Sequence, residues 1–329
     1  MTTAIEYALM AGRAYQTTRA PNGINWFPVP TGWSEFLHIP NDILPSTGGF
    51  EMSAFQNTAN PNEIVISYAG TGPFWSGDWT NGNVPLAFGN LSEQLKQAAD
   101  YYLQVRALNS GATITFTSHS LGGGLASLMA VLFDESAFTF DQAPFRNSAE
   151  GYLFTDSNGF NTTRSVALSL RTYLEGSVPD SMLARLDAYI VALDVFNTNR
   201  IWADTLAARE TKVTDINVQG EILSYLPFSR IGSEADIAQQ NNMLFPQVDL
   251  HSQALLTAFL QSNQTAAAFK GLNDVTFELP DLLKMIFDTD LFARDTDWLA
   301  GGSNADKLGR VQFLKFSQAV RYSQRPIHR

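Results

Sequence analysis

The chain contains no cysteine. A disulfide framework, a thiolate metal site and a thiol nucleophile are therefore all excluded at once. Basic residues are also scarce, with 21 Lys and Arg against 32 Asp and Glu and a net charge of −11. Nucleic-acid binding needs clustered Lys and Arg on one face, and no such cluster exists here, so no nucleic-acid partner is expected. Long apolar runs are missing too. The nearest, Leu121 to Phe133, carries three glycines and falls short of the roughly 20 residues that cross a bilayer. The opening MTTAIEYALMAGRAY has neither the basic start nor the long apolar stretch of a secretory leader and reads as a short amphipathic helix. The expectation is a soluble protein, cytoplasmic or exported by a route without a cleaved leader.

What is present is apolar bulk: 45% of 329 residues, enough for a large core. Glu63–Tyr68 (EIVISY), Ala112–Thr117 (ATITFT) and Ala137–Phe140 (AFTF) are rich in β-branched and aromatic residues and predict buried strands, with Lys212–Val218 (KVTDINV) a fourth. Leu91–Leu108 and a run from Gly122 to about Phe133 carry helical spacing between them. Strands alternating with helices predict the α/β class, a mostly parallel sheet wrapped by helices. The whole of 1–329 reads as one domain. Within it, 146–210 interrupts the rhythm with a polar loop, RNSAEGYLFTDSNGFNTTR, and two helical runs, Ser165–Glu175 and Asp180–Leu193. That stretch is read as an insertion, either peripheral packing or a cap over a site. The tail carboxylates Asp288, Asp290, Asp295 and Asp297 raise a structural calcium ion as an alternative. They lack the spacing of a calcium loop, so a solvated acidic face is preferred and no cofactor is expected.

Chemistry concentrates at Ser118-His119-Ser120-Leu121-Gly122, between the strand ATITFT and the helix GGGLASLMAVLF. A nucleophilic serine has to stand at the tip of a tight strand-to-helix turn, which demands small residues two before and two after it. Ser118 and Gly122 meet that demand. The turn also aims Ser120 at a helix N-terminus, where free N–H groups stabilise negative charge. A phosphate loop is excluded because no Gly-Lys-Ser/Thr follows.

Serine needs a base, and the candidates are His38, His119, His251 and His328. His119 adjoins the nucleophile and projects away from it; His38 precedes the predicted sheet; His328 sits in the tail. His251, after the last predicted strand and at the head of a helical segment, fits the order nucleophile, acid, histidine. The acid belongs on the loop after Lys212–Val218, which favours Glu221, with Asp141 as the main rival. Asp236 lies further along the predicted loop, Asp215 inside the strand, and Asp249 close to the histidine. Oxyanion donors are expected from the N–H of Leu121 and from Thr71 in the loop Ala69-Gly70-Thr71-Gly72. Trp75 and Trp79 beside that loop are candidates for an acyl groove.

In order along the chain, IVISYAGTG with SGDWTNGN, ITFTSHSLGGGLASLMA, GEILSYLPF with GSEADI, and VDLHSQALL together resemble the class 3 lipase family of α/β-hydrolases over roughly Ile64 to Leu260. The resemblance implies an α/β-hydrolase fold with Ser120 as nucleophile, His251 as base, Glu221 as acid, and Thr71 and Leu121 at the oxyanion. It implies a carboxylic ester hydrolase acting on a lipid or small ester, as triacylglycerol lipase, esterase or phospholipase A1, with a transient lipid interface. Ala69 stands where the family often has arginine, and Glu221 where aspartate is usual. The alternative outside enzymology is an α/β-hydrolase-like binding module.

Overall fold

The computed structural model describes residues 2–16, 27–40, 50–70, 91–150, 152–155, 161–164, 166–199, 203–218, 220–226 and 228–237. Thr71, Trp75, Trp79, Asp249, His251, the four tail aspartates and His328 lie outside the described residues.

Helix α1 (Ala4–Arg13) starts where Thr3 accepts from the Glu6 N–H and Glu6 accepts from the Thr3 N–H, a reciprocal cap that satisfies two otherwise orphaned donors. Strands β1 (Trp33–Ile39), β2 (Met52–Asn57) and β3 (Glu63–Tyr68) follow. Helix α2 (Glu93–Leu108) is capped by Ser92, whose hydroxyl accepts from the Leu95 N–H. Then come β4 (Thr113–His119), α3 (Ser120–Phe133), β5 (Ser136–Phe140) and a short α4 (Arg146–Glu150). The chain continues through β6 (Tyr152–Thr155), β7 (Asn161–Arg164), α5 (Val166–Leu174), α6 (Asp180–Asn199), α7 (Ala203–Glu210), β8 (Val213–Val218) and β9 (Ser233–Ile237).

Among the described residues one seven-stranded sheet runs in the order β1-β2-β3-β4-β5-β8-β9. The β1–β2 and β2–β3 pairs are antiparallel; β3–β4, β4–β5, β5–β8 and β8–β9 are parallel. This is the mostly parallel, helix-flanked sheet of an α/β-hydrolase fold. Strand alternation sorts the side chains. Ile64, Ile66, Tyr68, Ile114 and Phe116 join α2, α3, α5 and α6 in the main core on one face, while Val65, Phe138, Phe140, Ile216 and Val218 meet α1 on the other. Tyr7 of α1 stacks on Phe138, with ring centroids 5.0 Å apart.

The expected polar loop at the start of 146–210 holds a helix and an antiparallel β6–β7 pair instead. Tyr-Leu-Phe-Thr and Thr-Thr are good strand formers on either side of a Ser-Asn-Gly turn sequence, a signal that the surrounding polar residues mask. The helices that follow are anchored to α3: Arg209 donates to the C-terminal carbonyls of Val131 and Leu132 and lies over the Tyr189 ring. Leu170, Leu174, Leu183, Leu186 and Tyr189 are buried in the same core as the sheet. No helix among the described residues is long and apolar enough to cross a membrane.

Candidate active site

The carboxyl end of β4 turns directly into α3, and Ser120 is the corner. Its φ is +61°, in the left-handed region that a non-glycine residue occupies only when its surroundings impose it. The neighbours show what does so. A Cβ on Gly122 would fall on the Tyr68 carbonyl oxygen and 3.0 Å from its carbon, so α3 can begin this close to β3 only with glycine there. Ser118, where a glycine is commoner in such turns, stitches the turn to β3: its hydroxyl accepts from the Tyr68 N–H and donates to the Tyr68 C=O, each at 2.8 Å. Ser118 is fully buried while Ser120 remains partly accessible.

Two further contacts fix the corner. The Tyr15 hydroxyl, at the end of the α1 segment, donates to the His119 carbonyl at 3.2 Å and packs against Gly70. The Ala143 N–H donates to the Ser120 carbonyl at 2.9 Å, tying the loop after β5 to the same turn. Gly70 follows β3 and lies beside the Gly122 N–H and the His119 carbonyl, so the segment leading to Thr71 leaves the sheet next to the N-terminus of α3. Among the described residues His119 places no side-chain cap on that helix, and the N–H of Leu121 is in its first turn.

Glu221 stands just past β8, at the cap of a short 3-10 helix, Ile222–Tyr225, and is wholly buried. Its Oε2 accepts from the Leu223 N–H at 2.7 Å, and its Oε1 accepts from the Ser224 hydroxyl at 2.9 Å and from Arg230. Only β5 separates β4 from β8, so the ends that carry Ser120 and Glu221 are roughly 10 Å apart at ordinary strand spacing.

The rival acids sit differently. Asp141 ends β5 with φ +43°, is wholly buried, and accepts from the Val218 N–H at 2.8 Å. Burial first, and then the charge of Glu221, push its carboxyl well above the usual carboxylate range. Asp215, inside β8 as expected, is raised to about 6, chiefly by burial. Asp236 is not on a loop: it lies in β9 opposite Asn217, exposed on the terminal strand of the described sheet. Its Ser-Glu-Ala-Asp-Ile segment lacks the apolar density that marks a strand, and parallel pairing with β8 supplies the backbone partners instead.

One histidine position also differs from expectation. His38 does not precede the sheet but lies in β1, where its Nε2 is 2.6 Å from Glu51 Oε1 across the β2 side. In Trp33–Ile39 a bulge between Glu35 and Leu37 breaks the apolar/polar alternation that marks a strand, which conceals it. His119 is buried as expected, and its Nε2 comes within 3.8 Å of Asp141 Oδ2. Among the described residues no group of three or more His, Asp or Glu is arranged to hold a metal.

A family model described as a Tle-like phospholipase domain matches residues 6–268. Comparison with curated protein sequences gave no match. Among solved structures, the chain is similar to lipase II from Rhizopus niveus at 13% identity and a TM-score of 0.38, covering 71% of this chain and 79% of that one. It is similar to the Lip2 lipase from Yarrowia lipolytica at 14% identity and a TM-score of 0.36, covering 71% and 77%. For the M37 lipase the values are 15% identity, a TM-score of 0.40 and 80% of each chain.

Proposed function

Because the chain belongs to the Tle-like phospholipase domain family, we propose that it is a serine hydrolase of lipid carboxylic esters, working through an acyl-enzyme on Ser120. The observation that carries the reading is the left-handed backbone of Ser120 at a strand-to-helix corner, the geometry that exposes a hydroxyl at a helix N-terminus.

In this reading His251 accepts the Ser120 proton as the hydroxyl attacks the acyl carbonyl. The oxyanion rests on the N–H groups of Leu121 and Thr71. The alcohol leaves with the proton from the imidazolium, and water, deprotonated by the same imidazole, then releases the fatty acid and restores Ser120. Glu221 orients His251 and offsets its charge in the transition state. The family description favours a phospholipid over a triacylglycerol, with release of one acyl chain as in a phospholipase A1.

The test is a panel of p-nitrophenyl esters, triacylglycerols and phospholipids labelled separately on each acyl chain, run on the native chain and on Ser120→Ala. The native chain releases acyl product and the variant, with an unchanged melting profile, does not. Activity retained by the variant removes the mechanism. A native chain inactive on the whole panel favours the binding-module reading.

A further inference from the structure

Helix α1 ends beside the nucleophile corner, and one carboxylate fastens its last turn to the sheet. Glu35, at the bulge of β1, is mostly buried. Its Oε2 accepts from Arg13 Nε and from an Arg13 terminal nitrogen, each at 3.2 Å. Its Oε1 accepts from the Gln16 side-chain amide and, at 2.7 Å, from the Ser53 hydroxyl of β2. A carboxylate has about four acceptor positions, and this one uses them to join the end of α1 to β1 and β2. The Arg13 bonds carry charge on both partners, which strengthens them.

Arg13 and Gln16 bracket Tyr15, which turns to a different partner. Tyr15 is buried, packs with Ala14 and Ala69, and donates its hydroxyl to the His119 carbonyl. A Cβ on Gly70 would lie 2.6 Å from that hydroxyl and 3.4 Å from both the Gly122 nitrogen and the His119 carbonyl oxygen. The hydroxyl therefore fills the place of a missing side chain, between the residue that follows β3 and the corner that starts α3. Where it stands sets how far the chain leaving β3 lies from the Ser120 turn. Beyond the cap residue Ala14 the backbone holds Tyr15 weakly, since its N–H reaches the Gly12 carbonyl only at 3.4 Å. Glu35 supplies the hold from both sides of Tyr15 in the chain. The start of α1 is fastened separately, by the Trp33 indole N–H donating to Glu6 Oε1 at 3.2 Å, more than two turns from Tyr15.

We propose that Glu35 is a positioning residue for the active site: by fastening Arg13 and Gln16 it fixes the Tyr15 hydroxyl as the spacer between the exit of β3 and the nucleophile corner. The inference rests on the reading of Ser120 as the nucleophile.

The experiment compares the full-length native chain with Glu35→Ala, Glu35→Gln, Tyr15→Phe, Trp33→Phe and the Glu35→Ala/Tyr15→Phe and Glu35→Gln/Tyr15→Phe double variants. Each is checked by its melting profile and assayed well below its melting point. The readout is the rate at which a fluorophosphonate labels Ser120. Glu35→Ala should slow labelling about threefold or more, because small displacements at a reacting centre are costly in rate. Glu35→Gln, which keeps the size of the side chain, should lose less. In the Tyr15→Phe background the Glu35 substitution should cost under about 1.5-fold, since a residue acting through the hydroxyl has nothing left to position. Trp33→Phe loosens the other end of α1 and should label at the native rate. An equal loss in both backgrounds, native labelling in a folded Glu35→Ala, or a Trp33→Phe as slow as Glu35→Ala overturns the inference. Should either Glu35→Ala chain not fold, Glu35→Gln decides in both backgrounds: a native rate, or the same loss with and without the hydroxyl, overturns it. A folded native chain that does not label at Ser120 refutes the nucleophile itself, and the inference falls with it; that failure is distinct from a labelled native chain with an indifferent Glu35.

Discussion

Substituting Gly122 by alanine tests the account at its tightest point. Within α3 an alanine would ordinarily gain about 1 kcal/mol over glycine. Here its Cβ would sit on the Tyr68 carbonyl oxygen, 3.0 Å from the Tyr68 carbon and 3.1 Å from the Ala69 carbon, both inside the 3.4 Å where ordinary contact begins. The obstacle is backbone at the end of β3, held by its ladder with β4 and by the Ser118 hydroxyl, so no flexible side chain can yield. Overpacking of this kind costs about 1–3 kcal/mol, and pulling Tyr68 from Ser118 adds about 1 kcal/mol. Set against the helix gain, the net loss is about 2 kcal/mol, or roughly 3 °C in Tm for a chain of 329 residues at about 2.1 cal/mol/K of unfolding entropy per residue. Gly111→Ala is the control: nothing lies within 4 Å of its Cβ and its φ is not left-handed, so its Tm should stay or rise slightly. Differential scanning fluorimetry reads both, and fluorophosphonate labelling should slow by at least tenfold in Gly122→Ala alone. If the two variants melt and label alike, the close approach of β3 to α3 is not what shapes the corner.

Two further substitutions probe its surroundings. Tyr15→Phe removes the hydroxyl that donates to the His119 carbonyl at 3.2 Å, and should cost about 1 kcal/mol and slow fluorophosphonate labelling severalfold; an unchanged melt and labelling rate would show that this bond holds nothing. Asp215→Asn tests the buried carboxyl cluster by pH. Asp215 is raised from 3.8 to about 6, so between about pH 4 and 6 the unfolded chain releases a proton that the folded chain keeps, and native stability falls as pH rises. Near neutrality that penalty is about 3 kcal/mol at 1.36 kcal/mol per unit. The asparagine variant lacks it, so melts from pH 4 to 7 should show the native chain losing ground to Asp215→Asn; parallel curves would contradict the assignment.

The strands legible in the sequence are those buried on both faces. Glu63–Tyr68 was marked to its ends by Ile, Val and Tyr, and Ser136–Phe140 and Val213–Val218 were each marked to within a residue. The strands towards the sheet margins were not legible. β1 has apolar residues but loses its alternation at the bulge between Glu35 and Leu37, β2 mixes Ser, Ala and Gln with Met and Phe, and β9 is Ser-Glu-Ala-Asp-Ile; backbone pairing holds them, and pairing leaves little trace in composition. The site divides the same way. Ser120 and Glu221 could be placed by position relative to buried strands. Tyr15 and Glu35 could not, because one lies 104 residues from its partner His119 and the other gains its meaning only where β1 meets the end of α1. Asp141 at positive φ carried a faint signal, since aspartate tolerates that region better than most residues.

The claim on which everything else depends is that the Ser120 hydroxyl is an activated nucleophile. Labelling the intact, folded chain with a fluorophosphonate and locating the adduct by peptide mass spectrometry tests it without any assumption about substrate. The account predicts one adduct, on Ser120, absent from heat-unfolded protein and from Ser120→Ala. An unlabelled folded chain, or an adduct on a different residue, contradicts it.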